Sequence, residues 1–222
     1  MKHVVVDLEM NRVAQKYTEE AKISGMEIIE IGAVVLDEQY QEIGCFKTLV
    51  KPQYNEVVEK YYTNLTGITT DMVEGAPKFE DALKQFLQWC HSLNDELIIY
   101  QWSQTDLDQI TKEMLLKGIA VDEEHAGFLE NWKDFQSEFG DKLHVSDALS
   151  LKKAVLYAGI EFSGRAHDAL HDARTTAELL KIIRTPKLRE AALGHVIEAL
   201  TPKKIGTTLG DLFDFHALGL GA

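Results

Sequence analysis

Asp7 and Glu9 close the short β-branched run Val4-Val5-Val6. Residues two apart on a strand project from one face. Two carboxylates would thus lie side by side at the end of an apolar strand, where they repel each other and where burial makes each charge costlier. A hard cation between them removes the repulsion, because Mg²⁺ takes oxygen ligands. The plainer alternative has Asp7 capping a turn and Glu9 in water. A second group is Arg165-Ala166-His167-Asp168-Ala169-Leu170-His171-Asp172-Ala173. Asp172 falls on a predicted helix with Ala169 and Ala173 around it, small residues that let a helix approach a sheet closely. His167 precedes it by five positions, in the loop or first turn, and leans across the same mouth. Asp168 at the helix start reads as a cap, and surface placement is the plain alternative for His171 and Asp172.

Taken together, Asp7-Leu8-Glu9, a distal aspartate and His167-x-Ala169-x-x-Asp172-Ala173 resemble the three motifs of the DEDDh exonuclease superfamily. That superfamily includes ribonuclease T, oligoribonuclease and the proofreading subunits of DNA polymerases. Leu65-Thr66-Gly67-Ile68-Thr69, then Val73 and Ala76-Pro77, is similar to a further family segment, and Glu30-Ile31-Gly32-Ala33-Val34 to its second strand. The ordered blocks span residues 3–183. In the middle motif the family form is an asparagine, two residues, Phe-Asp, and a leucine four beyond. Here the stretch runs Tyr100-Gln101-Trp102-Ser103-Gln104-Thr105-Asp106-Leu107-Asp108-Gln109-Ile110. Asp106 has Ile110 four residues on, whereas Asp108 has Lys112, so Asp106 is the match. Asp108, two positions along a helix, turns about 200° away toward solvent. The Trp-x-x-x-Asp form is closest in pattern to the RNA-trimming and sporulation-inhibitor-like branch.

The resemblance implies an α/β fold, a ribonuclease H-like mixed central sheet flanked by helices. It also implies a metal-dependent 3′–5′ exonuclease that hydrolyses single-stranded RNA or DNA ends to nucleoside 5′-monophosphates. Asp7, Glu9, Asp106 and Asp172 would hold two Mg²⁺ or Mn²⁺ ions, about 3.5–4 Å apart, that polarise the water and clamp both reacting oxygens. His167, rather than His171, has the family's offset to Asp172 and is the expected general base, with an unperturbed pKa near 6.5. Met10, Asn11, Leu65, Thr66 and Ile68 are the expected contacts to the terminal nucleotide. Asn11 stands where many relatives carry threonine, and core packing is an equal alternative for Leu65 and Ile68. Lys152, Lys153, Arg165, Lys181, Arg184, Lys187 and Arg189 are candidates to track phosphates, some of them merely solvating helix faces. Ribonuclease T-like relatives add a homodimer as an arrangement to test. Two other functions fit the same fold: a regulatory or nucleic-acid-binding module with little catalysis, or a nuclease restricted to very short oligonucleotides.

The elements that must position these residues are legible from periodicity. Val4–Glu9, Ile28–Leu36, Gly44–Val50 and Leu97–Tyr100 read as strands, with a turn at Asp37-Glu38-Gln39. Phe79, Leu83, Phe86, Leu87 and Cys90 recur at helical spacing from Pro77 to about His91. Further helices are expected over 106–116, over 148–158 with Asp147 or Ser146 as cap, and over 168–183. The acidic stretch 122–140 reads only as mixed helix and loop. Strands first, then strands alternating with helices, predict a mixed sheet flanked by helices. An exonuclease domain over 1–185 would be followed by a C-terminal helical or loop appendage over 186–222 that packs on it.

With 222 residues, 45% of them hydrophobic and 27% charged, the chain can bury a sizeable core. Its formal net charge of −13 argues against a broadly basic nucleic-acid coat protein. The charge is unevenly spread, because residues 151–190 hold 8 Lys and Arg against 5 Asp and Glu. A locally basic strip beside a metal-holding acidic site predicts a narrow, salt-sensitive grip on a strand end. Cys45 and Cys90 form no CxxC and are expected to be two buried free thiols. No apolar run approaches the roughly 18 residues of a membrane helix, and Asp7 interrupts any signal-peptide core. A cytoplasmic protein without membrane contact is the expectation.

Overall fold

Val4, Val5 and Val6 are all buried at the centre of β1 (Lys2–Arg12), and a strand apolar on both faces needs a layer on each side. The computed structural model, which describes residues 1–161 and 166–201, supplies both layers. β1 pairs antiparallel with β2 (Met26–Leu36), which pairs antiparallel with β3 (Glu42–Leu49). On its other side β1 runs parallel to β4 (Leu97–Gln101), and β4 parallel to β5 (Trp132–Asp134). The sheet order is β3-β2-β1-β4-β5, the mixed central sheet that the sequence predicts.

The helices are α1 (Glu20–Ile23), α2 (Lys60–Thr66), α3 (Thr70–Glu74), α4 (Phe79–Ser92) and α5 (Thr105–Leu116), followed by α6 (Glu123–Glu130), α7 (Phe135–Leu143), α8 (Leu151–Ala158), α9 (Ala169–Arg184) and α10 (Pro186–Leu200). Val4, Val6 and Leu8 pack in one core with Phe79, Leu83 and Phe86 of α4 and Ile110 and Met114 of α5. Val5 faces the other way, into a core with Phe135 and Phe139 of α7 and Leu179, Leu180 and Ile183 of α9. Alternation along β1 puts Asp7 and Glu9 on the Val5 side, toward α9. Beyond Glu9 the register with β2 slips: Glu9 opposes Glu30 while Met10 opposes Ile28, leaving Ile29 as a bulge. Ile29 enters a third, small core with Val58, Tyr62, Ile68 and Val73, so the bulge ties the end of β1 to α2 and α3.

Three expectations are corrected. The 122–140 stretch comprises α6, β5 and most of α7, with Asp122 and Asp134 as side-chain caps. The next helix begins at Leu151 rather than Ala148, and Ser150, not Asp147 or Ser146, caps it. The Leu149 carbonyl accepts from Trp102 Nε1 at 3.0 Å and Gln136 Nε2 at 2.7 Å, which holds that residue outside the helix. Cys90 is buried as expected, but Cys45 is exposed on the edge strand β3. At the C-terminal end α10 seats Leu193, fully buried, in the second core. Arg165 and residues 202–222 lie outside the described residues. Among the described residues no helix is long and apolar enough to cross a membrane.

Candidate active site

The end of β1, the start of α5 and the first turn of α9 converge on one acidic cluster. Glu9, Asp106 and Asp172 are each less than a tenth exposed, and Asp7 is half-buried among them. Burial pushes Glu9 up to about 8, with Asp172, Glu30 and Asp106 adding like charge. Asp7 is held well above its ordinary value by burial and then by Asp106, Glu9 and Asp172. Burial raises Asp106 to about 7 even though the Leu8 N–H and its own N–H donate to its carboxylate. Asp172 is raised by burial, against the His167 N–H that donates to its Oδ2 at 3.0 Å. Four carboxylates that each disfavour ionisation mark a candidate functional site, and a cation among them would remove their mutual repulsion.

His167 completes the group. One ligand atom each from Glu9, His167 and Asp172 lie within 4.8 Å of one another. His167 itself is exposed and has a left-handed backbone, φ 63°, a conformation that costs a non-glycine residue about 1–2 kcal/mol. Asp172 Oδ1 is buried with no hydrogen-bond partner among the described residues. Such an orphaned acceptor inside an all-carboxylate pocket fits a hard divalent cation. Asp108, by contrast, is exposed, as expected for a residue on the far side of α5.

The side chains that hold this geometry were not singled out from the sequence. Glu30, buried on β2 opposite Glu9, accepts the Ala169 N–H through Oε2 at 2.9 Å and pairs with Lys47 through Oε1 at 3.1 Å. Lys47 also reaches Asp168 Oδ2 at 2.6 Å, while Asp168 Oδ1 caps α9 by accepting the His171 N–H at 3.0 Å. The Asp168 cap was thus legible, but its tether across the sheet was not. Gln101 is fully buried at the end of β4, and its Oε1 accepts the Leu107 N–H at 2.8 Å, fixing the first turn of α5 and so Asp106. Lys47→Met is expected to lower kcat about tenfold through looser placement of His167. The ion pair to Asp168 is partly exposed and worth little, but Glu30 is only 4% exposed, so leaving it unpaired should also cost about 1–3 kcal/mol of stability. Steady-state kinetics beside a thermal melt checks this, and an unchanged kcat would show that the strut does not act on His167.

The five expected nucleotide contacts divide. Asn11 is fully buried; its Nδ2 donates to the Val57 carbonyl at 3.1 Å and its Oδ1 accepts the Glu59 N–H at 3.1 Å. Thr66 is buried, donating to the Tyr62 carbonyl at 2.9 Å and accepting the Ile68 N–H at 3.0 Å. Ile68 sits in the small third core. These three shape the segment from inside, whereas Met10 and Leu65 remain half-buried. Tyr61, four residues before Leu65 on the same face of α2, is 67% exposed and was missed because a lone tyrosine carries no spacing signal.

Comparison with known proteins bears on the family and the fold. ERI1 exoribonuclease 2 of Danio rerio is 32% identical over 203 residues, covering 82% of this chain and 35% of that protein. Its Mus musculus counterpart is 30% identical over 215 residues, covering 84% and 30%. The chain therefore spans about a third of the length of these relatives. Among solved structures, the nuclease domain of 3′hExo, a DEDDh family member bound to rAMP, superposes with a TM-score of 0.70 at 21% identity, covering 82% of this chain and 92% of that one. That likeness shows the fold, a ribonuclease H-like sheet with its flanking helices. The family model RNase_T, described as "Exonuclease", matches residues 4–180, a span that contains all four carboxylates and His167, and the chain belongs to this exonuclease family.

Proposed function

We propose that the chain is a metal-dependent 3′–5′ exonuclease that hydrolyses single-stranded RNA or DNA ends to nucleoside 5′-monophosphates. The observation that carries this reading is the meeting of Asp7, Glu9, Asp106 and Asp172 in one acidic cluster with the exposed His167 at its rim. The four carboxylates would hold two Mg²⁺ or Mn²⁺ ions, which when bound supply charge stabilisation to the reacting phosphate oxygens. His167 takes the proton of the attacking water as that oxygen bonds to phosphorus, and its exposure lets the proton pass to bulk solvent. The bond from phosphorus to the 3′-oxygen breaks, its electron pair leaves with that oxygen, and solvent protonates it. The His167 N–H on Asp172 couples the base's position to a ligand carboxylate. Met10 and Leu65, with Tyr61, would offer the terminal base an apolar wall, and Asn11, Thr66 and Ile68 support that wall from within. RNA is the first substrate to test, because the relatives cited are named exoribonucleases.

On 5′-labelled single strands with Mg²⁺, the products are expected to form a ladder that shortens from the 3′ end. His167→Ala is expected to lower kcat by about 10²–10⁴, while calorimetric binding of Mn²⁺ stays within severalfold of wild type. Internal cuts, or cleavage that needs no divalent ion, would overturn the reading. Loss of Mn²⁺ binding in His167→Ala would make the imidazole a ligand rather than the base.

A further inference from the structure

A hollow of about 830 Å³ runs along α8 and opens onto the acidic cluster, with His167 and Asp172 in its lining beside Lys152, Lys153 and Leu156. That size is within the roughly 300–1,000 Å³ that holds a small organic ligand. Leu156 is 74% exposed, more than any other large apolar side chain among the described residues. Lys152 precedes it by four residues and Lys153 by three, so all three share one face of the helix. Among the described residues neither lysine makes an ion pair; the Lys153 ammonium instead sits 5.7 Å from the centre of the Tyr157 ring. A second hollow, about 790 Å³ between α9 and α10, also carries cations. There Arg174 is already paired with Glu42 at 2.8 Å, and Lys181 donates to Gln41 at 3.0 Å. In a protein of net charge −13, two ammonium groups with no ion pair among the described residues, beside a carboxylate cluster and an exposed leucine, are a specific arrangement.

We propose that the α8 groove holds the nucleotides on the 5′ side of the scissile phosphate of a single strand, Lys152 and Lys153 meeting their phosphates and Leu156 the face of an unpaired base. This rests on the exonuclease reading, because the groove shares His167 and Asp172 with that site. The charge fits a polyanion, the apolar face fits a base free of a pairing partner, and continuity with the reacting centre fixes which end of the strand enters. A duplex would keep its base faces from Leu156.

The test compares kcat/KM on a long unstructured oligonucleotide with that on the p-nitrophenyl ester of thymidine 5′-monophosphate, which places no nucleotide in the groove. In Lys152→Glu/Lys153→Glu the ratio of the two is expected to fall about tenfold or more, and the slope of log affinity against log salt to flatten by roughly 0.7 per lysine. Leu156→Ala is expected to lower the ratio severalfold with the salt slope retained. All three side chains are at the surface, and a thermal melt verifies that the variants fold. Active wild type whose ratio is unmoved by either variant overturns the groove and leaves the exonuclease reading standing. Wild type inactive on both substrates with Mg²⁺ and Mn²⁺ overturns both, and equal kcat/KM on blunt duplex and single strand overturns the single-strand assignment.

Discussion

Glu9→Gln is expected to abolish nuclease activity, by at least about 10³ in kcat, and at the same time to stabilise the metal-free protein near neutral pH. The first effect follows from loss of a carboxylate that would hold a cation, which when bound would supply several kcal/mol of charge stabilisation, each 1.36 kcal/mol being about tenfold in rate. The second follows from the cost of burying these charges, to which like-charge repulsion adds at Glu9. Glu9 is pushed to about 8 and Asp106 to about 7 by burial, with Asp172 and Glu30 adding to the effect on Glu9. In the unfolded chain these groups titrate near 4.3 and 3.9. Between about pH 5 and 8 the folded state therefore binds more protons than the unfolded state. Stability then falls as pH rises, and the loss is complete once pH passes the folded values. With chelator present, the wild-type Tm is expected to drop by ~5 °C or more from pH 5 to pH 8, at roughly 2–4 °C per kcal/mol for a chain of this size. Glu9→Gln should drop less, and added Mg²⁺ should flatten the wild-type curve. A metal-free Tm that is constant or rises over this range would contradict the cluster's electrostatics.

The parts of this molecule that were legible in its sequence are those whose cause is local. The apolar run of β1, the helical repeat of α4 and the small residues of α9 each carry their signal within a dozen positions. The two carboxylates on an apolar strand stood out because they contradict their surroundings. β5 is different: Trp132, Lys133 and Asp134 form a strand only because Ile99, Tyr100 and Gln101 pair with them. Phe128 and Trp132 enter one core while Phe135, Phe139 and Leu143 enter the other. No single period describes a segment that crosses from one side of the sheet to the other within seven residues of chain. Glu30 and Lys47 fall in the segments that read as strands, and both are strand residues. Their further role needs Ala169 and Asp168, more than a hundred positions away in the chain, and nothing in local composition announces such a tether. The burial of Asn11 is of the same kind, since the carbonyl and N–H that take up its amide belong to Val57 and Glu59.

Gly32→Ala is expected to lower both stability and activity, although it removes none of the site's carboxylates. A Cβ at this position would lie 2.2 Å from the Leu170 nitrogen and 2.3 Å from the Ala169 carbonyl carbon. Both are backbone atoms of the first turn of α9, so no side-chain rotation can relieve the clash. Gly32 opposes Asp7 in the register of β1 and β2, and Glu30, two residues earlier on the same face, accepts the Ala169 N–H. The start of α9 therefore rests directly on β2. Admitting one methyl group means lifting that turn by more than ~1 Å to reach the roughly 3.5–4.0 Å of ordinary van der Waals separation. The lift strains the Glu30 bond and draws Asp172 and His167 away from Asp7 and Glu9. Overpacking of this kind costs about 3 kcal/mol or more, a fall of roughly 6–12 °C in Tm at this chain length. A 1 Å displacement of reacting groups costs a further ~10²-fold in rate even where the protein remains folded. Gly25→Ala, whose Cβ would meet nothing within 4 Å, is the control and should stay near wild type in both respects. Thermal melts and kcat measured well below Tm separate the two effects. A Gly32→Ala protein with wild-type Tm and kcat would mean that α9 does not sit this close to β2. A protein that melts lower but keeps its kcat would mean that the cluster tolerates the shift. Because Gly32→Ala removes none of the carboxylates and leaves His167 in the sequence, a joint loss assigns the site's geometry to the spacing between one strand and one helix, which glycine alone permits.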